Sequence, residues 1–247
     1  MSKAWKIVIA AVVGVVIAIP VGTYVYIHFI AGDPPPPLTL DSGPGSAAQL
    51  ATPTTTAPAA GATAASTSTT VVATAAALNY KPTSASVLGY RVKEVLFGQS
   101  NEAVGRTSDI TGSMTLNGAT VSAVDLTVNM RTVRSDQSQR DGQFNGRIMN
   151  TSTYPTATFI LTQPLTLSNV PSDSTVVNAK ATGELTLRGV ARSVTFDLMA
   201  QRDGDNVKVN GTIPVVFADY RIPNPSGGPA STEDHGVIEF LLVFEKA

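Results

Sequence analysis

The chain has 247 residues, with 17 lysines and arginines against 18 aspartates and glutamates, two histidines and no cysteine. A formal net charge of −1 argues against a broad electrostatic footprint for nucleic acid. The absence of cysteine excludes disulfide scaffolds, cysteine-ligated zinc, iron–sulfur clusters and cysteine nucleophiles. Charged residues make up only 14% of the chain, and their uneven distribution divides it into three parts.

The first part, residues 1–32, is predicted to be a transmembrane signal anchor. Residues 7–30 form a run of 24 positions without Asp, Glu, Lys or Arg. As a helix this run reaches about 36 Å, enough to cross a hydrocarbon core of about 30 Å. Because Lys3 and Lys6 precede it, we expect a single-pass protein of the cell membrane with a cytoplasmic N-terminus and an extracytoplasmic remainder. The alternative is a cleaved signal peptide, whose apolar region is shorter, about 7–15 residues.

The second part, residues 33–80, is predicted to be a disordered linker rich in Pro, Ala and Thr. It opens with four prolines at 34–37, a stiff and extended run. Ala, Thr and Ser then make up 24 of the 31 residues from 47 to 77. Such a segment cannot bury enough apolar surface to offset the entropy lost on ordering. The composition also suits an O-glycosylated stalk, and an undecorated linker is the simpler interpretation.

The third part, residues 81–247, is predicted to fold as one all-β domain. Apolar and polar residues alternate from Val124 to Met130, and again at 194–200 and 207–217. This period of two is typical of antiparallel strands with one buried face. Residues 131–149 interrupt the alternation, which predicts a long loop with a short helix. The eight predicted strands lie near residues 90–97, 107–116, 119–130, 156–162, 175–187, 190–201, 206–217 and 236–245.

Turn signals connect these strands. Asn117-Gly118 is the strongest, because both central positions of the hairpin turn it favours need a positive φ. Arg188-Gly189 and the stretch 203–206 mark two more hairpins. Eight antiparallel strands with one apolar face form either a sandwich or a closed barrel. Closure removes exposed edges and leaves an interior able to hold one small apolar ligand, but the periodicity by itself does not choose between the two.

Three motifs resemble the signature of the YceI-like family. They are a Thr…Arg-Asp segment within 129–141, the strand Tyr154-Pro-Thr-Ala-Thr-Phe159, and the hairpin Gly183-Glu-Leu-Thr-Leu-Arg-Gly-Val190, in that order. The similarity spans roughly Tyr90 to Phe244, which is nearly the whole third part. It implies an eight-stranded lipocalin-like barrel with a short helical loop, whose apolar lumen holds a polyisoprenoid chain or a related lipid.

The resemblance also suggests where such a lipid would bind. Arg134 and Arg140, in the loop at the barrel mouth, are the head-group candidates, because guanidinium groups bind phosphate or pyrophosphate through charge-assisted hydrogen bonds. Asp136 and Asp141 are close enough in sequence to pair with the arginines and fix the loop instead. Because an Arg-Asp pair belongs to the family motif, this loop-organising role is the favoured interpretation. The candidate lumen-lining residues are Val124, Leu126, Val128, Met130, Phe159, Leu161, Leu185, Leu187, Phe196, Leu198, Val215, Phe217, Phe240 and Leu242.

The sequence offers few residues for catalysis or metal binding. It has no Gly-rich phosphate loop, no His-Glu-x-x-His motif and no Gly-x-Ser-x-Gly motif. His28 falls in the predicted membrane span, so His235 would have to serve any hydrolase triad or, with Glu233 and Asp234, any metal site. Consecutive side chains there are expected to diverge, as in a polar turn before the last strand. We therefore predict no catalytic residues, no metal and no cofactor other than a bound lipid.

Together these features predict a membrane-anchored protein of the bacterial cell envelope, not an enzyme. Its exported barrel would bind a polyisoprenoid or similar long apolar lipid and carry or sequester it, without a nucleic-acid partner. Moving a five-carbon isoprene unit out of water is worth up to about 4 kcal/mol, whereas a lipid passing from bilayer to lumen gains almost none of that. The alternatives are a non-catalytic envelope interaction or stress module with a side-chain-filled barrel, and an enzyme using His235.

Overall fold

The predicted membrane helix of residues 1–32 and most of the predicted linker lie outside the part of the chain that the structure describes. Within that part, no helix is both long and apolar enough to cross a bilayer. The computed structural model describes residues 34–41, 77–96, 98–168, 175–227 and 230–247.

Over these ranges the chain forms one antiparallel sheet of thirteen strands and a short helical segment. A π-helical turn, Phe144–Ile148, continues the helix, and 3₁₀ turns occupy Met130–Thr132 and Phe217–Tyr220. The strands and helix are β1 (Leu78–Pro82), β2 (Val87–Leu96), β3 (Gln99–Thr107), β4 (Ile110–Asn117), β5 (Thr120–Asn129), β6 (Arg134–Ser135), α1 (Ser138–Gln143), β7 (Thr156–Leu161), β8 (Leu165–Thr166), β9 (Val177–Leu187), β10 (Val190–Asp203), β11 (Asn206–Val216), β12 (Ala230–Thr232) and β13 (His235–Lys246).

The sheet closes on itself as an eight-stranded barrel. Its strand order is β1-β4-β5-β7-β9-β10-β11-β13, and β13 pairs back with β1. The prediction of an eight-stranded antiparallel barrel is therefore confirmed, and the sandwich is excluded. Each predicted strand position is a strand, whereas β1, most of β3 and the short strands β6, β8 and β12 were not predicted. Strands β1 and β3 carry mainly polar or small residues, so they lack the apolar alternation on which the prediction depended.

Strand β13 changes partners half-way along its length. Its C-terminal end pairs with β1, and its N-terminal half pairs with β2. Ser86 lies at the bend between β1 and β2 and is fully buried. Its Oγ accepts a hydrogen bond from the Val243 amide at 3.0 Å and donates one to the Val243 carbonyl at 3.2 Å. The serine hydroxyl thus completes the backbone pairing of β13 where the neighbouring strand bends away.

The barrel is tall and its two ends differ. Strand β10 is the longest strand of the ring, with 14 residues, and is therefore about 46 Å long. A strand tilt of about 35–45° makes this side of the barrel roughly 35 Å tall. At one end, the loop of residues 131–149 folds as α1 and the π-helical turn, which confirms the predicted loop with a short helix. Phe144 and Met149 are buried there, so this loop caps the barrel interior.

Residues 34–41, which the sequence analysis assigned to the disordered linker, lie against the outside of the barrel. The Leu38 carbonyl accepts a hydrogen bond from Asn210 on β11, and Leu40 is buried. For these eight residues the linker prediction is corrected, because the wall offers hydrogen-bond donors and apolar surface that composition alone does not reveal. The prediction is also corrected at residues 78–80, which belong to strand β1.

We expect the change Ser86→Ala to cost about 1–3 kcal/mol of unfolding free energy, because it leaves the buried Val243 amide without its partner. Urea unfolding followed by circular dichroism measures the loss. Ser84→Ala is the matched control: Ser84 is two residues away and exposed, so its loss should stay within about 0.5 kcal/mol. Equal losses in the two variants would contradict the role assigned to the Ser86 hydroxyl.

Candidate functional site

The barrel encloses a lumen with two chambers. The first, of about 730 Å³, lies at the end that α1 and the tip of the β2–β3 hairpin surround. The second, of about 370 Å³, lies towards the opposite end, near the β4–β5 and β10–β11 turns. Leu88 lines both chambers, so they are adjacent along the barrel axis. Both volumes fall in the range of about 300–1,000 Å³ that is typical of small-molecule sites.

The first chamber has a mainly apolar wall with one aromatic stack. The Tyr90 ring on β2 stacks on Phe144 from the π-helical turn, with centroids 5.1 Å apart and planes at 13°. Gly105 on β3 makes this possible, because a Cβ there would lie 2.5 Å from Tyr90 Cε1. The stack therefore joins the capping loop to the barrel wall.

The mouth of the first chamber carries a charge pair. Arg140 Nη2 lies 3.1 Å from Glu94 Oε1, and the other Arg140 amino group contacts Asp136. Asn101 donates a further hydrogen bond to Glu94 at 3.0 Å. Glu94 and Arg140 are the charged residues that line this chamber within the described ranges. The positive charge of Arg140 is thus already balanced by carboxylates.

Neutral polar groups complete the mouth. The amides of Gln137, Gln139 and Gln143 line it, together with the Tyr90 phenol. Burial raises the pKa of the Tyr90 phenol above its ordinary value, so it remains an uncharged hydrogen-bond donor at neutral pH. No described residue forms a hydrogen bond with the Tyr90 hydroxyl. This hydroxyl is available to a ligand in the chamber.

The second chamber is apolar along most of its wall. Phe196 makes edge-to-face contacts with Phe159 and Phe240, at centroid distances of 5.5 and 5.8 Å. Two glycines make room for these rings: a Cβ at Gly183 would lie 2.4 Å from Phe159 Cζ, and one at Gly211 would lie 2.7 Å from Phe240 Cζ. The hairpin motif therefore has glycine at position 183 because any larger residue would overlap the Phe159 ring. Charged side chains appear at the far rim, namely Arg202, Asp205 and Lys246.

The fourteen lumen candidates all belong to the barrel core or pack against it. Val128 and Leu185 line neither chamber and are buried in the core. Those that line the first chamber are Met130, Leu187, Val215 and Phe217. Those that line the second are Val124, Leu126, Phe159, Leu161, Phe196, Leu198, Phe240 and Leu242.

The two head-group candidates lie in different places. Arg140 lines the first chamber. Arg134 is exposed and does not line it, and its Nη1 donates to the carbonyls of Arg131 and Val133, both at 2.8 Å. Asp141 accepts hydrogen bonds from the Ser135 amide and hydroxyl at 2.8 and 2.7 Å. Asp136 thus pairs with Arg140, whereas Asp141 fixes the loop through a serine.

Sequence reasoning missed part of the first chamber. Tyr90 and Val92 lie in a predicted strand for which the sequence analysis names no inward-facing residues. Phe144, Ile148 and Met149 were within the predicted loop, and their inward position depends on how that loop folds over the barrel. The available signal was three large apolar residues in an otherwise polar stretch of the loop.

His235 is the first residue of β13 and lines neither chamber. Asp234 lies 2.8 Å from its Nδ1 and Glu233 lies 3.2 Å from its Nε2. The expected divergence of these side chains was therefore wrong, because the turn brings both carboxylates to the imidazole. They lie at opposite nitrogens of the ring, which is not the arrangement of a shared metal site. No cluster of metal-ligating side chains occurs among the described residues.

The closed barrel, its apolar lumen and the Gly183 hairpin agree with a family assignment from sequence comparison. The YceI-like domain matches residues 79–244. The chain belongs to the YceI-like family. A UPF0312 protein of Pseudomonas aeruginosa (strain LESB58) is 34% identical over 150 residues, covering 57% of this chain and 72% of that protein. A UPF0312 protein of Shewanella baltica (strain OS185) is 30% identical over 151 residues, covering 58% and 73%.

A solved structure shares the fold of this YceI-like domain. It is that of a polyisoprenoid binding domain from Saccharophagus degradans implicated in plant cell wall breakdown. The TM-score is 0.54 at 18% identity, and the match covers 69% of this chain and 99% of that domain. At this identity the likeness establishes the fold, and the ligand named there is that protein's.

We expect Gly183→Ala to destabilise the YceI-like domain by about 1–3 kcal/mol, because the new methyl group would overlap the Phe159 ring and the Ile160 carbonyl. Gly142→Ala is the contrasting control: Gly142 lies in α1 with open space around it, so alanine should stabilise by up to about 1 kcal/mol. Thermal unfolding of both variants measures the difference. An unchanged stability of the Gly183→Ala variant would mean that the Phe159 ring has room to move.

Proposed function

We propose that this YceI-like domain binds one long apolar lipid of the polyisoprenoid type, with its chain along the barrel axis. The observation that carries the proposal is the unfilled apolar lumen of two adjacent chambers inside a closed barrel. In the alternative hypothesis the barrel is filled by its own side chains, and the volume of the two chambers would then be occupied. A lumen made of two chambers that adjoin along the barrel axis suits a long chain better than a compact ligand. The ligand named for the Saccharophagus degradans domain supports the same class.

The head group that suits the first chamber is neutral and polar, such as an alcohol or a carbonyl. Arg140 is paired with Glu94 and Asp136, so a phosphate or pyrophosphate would compete with two carboxylates and bring further negative charge to the mouth. The Tyr90 hydroxyl and the nearby glutamine amides can instead donate hydrogen bonds without disturbing the ion pairs. We therefore assign Arg140 chiefly to holding the mouth together.

We further propose that residues 1–32 anchor the chain in the cell membrane, so that the barrel works at the surface of the bilayer that holds its lipid. Transfer from bilayer to lumen changes the apolar environment little, which allows uptake and release in both directions. A carrier or sequestering role is supported over catalysis because His235, the one histidine of the domain, lines neither chamber. The domain would hold its lipid without changing it.

The change Leu198→Trp tests the lumen directly. Leu198 lines the second chamber, next to Phe196 and facing inward. We expect the indole to take ligand space, so that organic extraction and mass spectrometry find less lipid per protein, while the delipidated variant loses less than about 1 kcal/mol of stability. In a packed core the same change would cost about 1–3 kcal/mol.

Met199→Trp is the matched control, because Met199 is the next residue and is 39% exposed on the outer face. It should leave both the lipid content and the stability near those of the parent. Unchanged lipid in Leu198→Trp together with a large loss of stability would refute the lumen proposal.

The head-group assignment has its own test. Glu94→Gln removes one of the carboxylates paired with Arg140, so we expect the affinity for a polyprenyl phosphate to rise roughly tenfold relative to the polyprenol of equal chain length. Glu184→Gln on the exposed outer face makes the same change of charge and should leave the ratio unaltered. A parent domain that already prefers the phosphate would contradict a neutral head group.

A further inference from the structure

A buried carboxylate lies on the outer wall of the barrel. Glu239 on β13 is 2% exposed, although it points away from the lumen. Its Oε1 accepts hydrogen bonds from Arg106 Nη2 at 2.7 Å and Arg106 Nε at 2.9 Å, and its Oε2 accepts one from Arg91 Nε at 3.3 Å. Arg91 also pairs with Glu102. A buried carboxylate such as this one is tolerated when it is paired and hydrogen-bonded, as Glu239 is with Arg91 and Arg106.

The strand register brings these residues together. Gly89 of β2 pairs with Glu239 on one side and with Arg106 on the other. A Cβ at Gly89 would lie 2.7 Å from Arg106 Cγ and 2.1 Å from the Gly105 carbonyl. The glycine therefore lets the Arg106 side chain cross β2 to reach Glu239.

The two arginines that hold Glu239 also bind the segment of residues 34–41, here called the strap. Arg91 Nη2 donates to the Pro35 carbonyl at 2.7 Å, and Arg106 donates to the Pro36 carbonyl. Asn210 Nδ2 donates to the Leu38 carbonyl at 2.9 Å and also to the Phe240 carbonyl. Proline suits this role because its carbonyl accepts hydrogen bonds while its fixed φ lowers the entropy lost on docking.

Buried apolar side chains on the same wall agree with a docked strap. Val104 of β3 and Leu241 of β13 are 3% and 2% exposed, and neither belongs to the core cluster of the lumen. Leu40 of the strap is 8% exposed, two residues after the carbonyl that Asn210 binds. The strap thus buries apolar surface as well as accepting hydrogen bonds.

The strap runs along the barrel in a defined direction. Its first contact, at Pro35, is with Arg91, which pairs with Val237 near the start of β13 and hence near the mouth of the first chamber. Its later contact, at Leu38, is with Asn210, which pairs with Leu241 further from that mouth. The end of the strap that joins the preceding residues is therefore its mouth-side end.

We propose that the strap fixes the orientation of the barrel at the membrane, with the mouth of the first chamber nearer to the bilayer. This rests on the proposed anchoring by residues 1–32, since Pro34 follows that segment after a single residue. The residues between 41 and 77 join two segments that both contact the barrel, so they do not set its distance from the membrane. The partner of the mouth is then a lipid surface, from which a chain enters without crossing water.

The first experiment tests whether the strap is docked in the full chain. Because the protein has no cysteine, Leu40→Cys and Asp41→Cys each provide a single thiol, buried at 40 and exposed at 41. In anchored protein we expect a water-soluble maleimide to label position 40 at least about tenfold more slowly than position 41, because reaction needs local opening of the strap. Equal rates would overturn the proposal.

The second experiment measures orientation in vesicles of phosphatidylcholine and phosphatidylglycerol that contain an acceptor-labelled lipid. Ser138→Cys places a donor dye on α1 at the mouth, and Asp203→Cys places it at the far end of β10; both positions are exposed. We expect stronger energy transfer to the bilayer from position 138. Replacing residues 34–41 with a Gly-Ser segment of equal length should make the two efficiencies converge, whereas the same replacement at 51–58 should not.

Equal or reversed efficiencies with the strap intact would refute the orientation. Flotation of the same samples separates this result from a failure of the anchor: protein that does not float with the vesicles refutes the anchoring and, with it, the orientation. The labelling rates would still decide whether the strap is docked, and extraction of lipid would still decide whether the lumen binds one.

Discussion

The pairing of β13 with both β1 and β2 closes the sheet, and the lumen and the outer wall both depend on that closure. A barrel satisfies its backbone groups around the ring, so its interior need not be filled to protect an edge. The Ser86 hydroxyl preserves this pairing where β1 gives way to β2. Alternate residues of β13 then lie on opposite faces of the wall: Phe240 faces the lumen, while Glu239 lies on the outer side, where the strap binds.

Glycine recurs at positions where a large side chain lies flat against a neighbouring strand. Gly105 accommodates Tyr90 inside the barrel, and Gly183 accommodates Phe159. Gly89 does the same on the outside for Arg106. In each case the close approach excludes a Cβ. The Tyr90 and Phe159 rings shape the chambers without filling them, and the Arg106 side chain that crosses β2 pairs with the buried Glu239 carboxylate.

The two ends of the lumen have different chemistry. The mouth of the first chamber offers amides, the Tyr90 phenol and a balanced Glu94–Arg140 pair, whereas the second chamber is apolar up to a charged rim. A ligand with one polar end would therefore enter with a preferred direction, its chain in the second chamber and its head at the mouth. The strap lies outside this path, so the proposed orientation of the barrel and the proposed lipid binding involve different residues.

Alternation of period two determined most strand positions and the inward parity of residues such as Leu198, because side chains in a strand alternate between faces whatever their partners are. The resemblance to the YceI-like family indicated closure into a barrel, which the alternation by itself left open. Local pattern could not decide that Phe144 caps the lumen, that Arg134 points away from it, or that Glu239 is buried on the outer wall. Nor could it distinguish residues 34–41 from the rest of a low-complexity segment. These outcomes depend on which distant strands and loops meet, and only the tertiary structure brings together Arg91, Arg106 and Asn210 as donors for the strap.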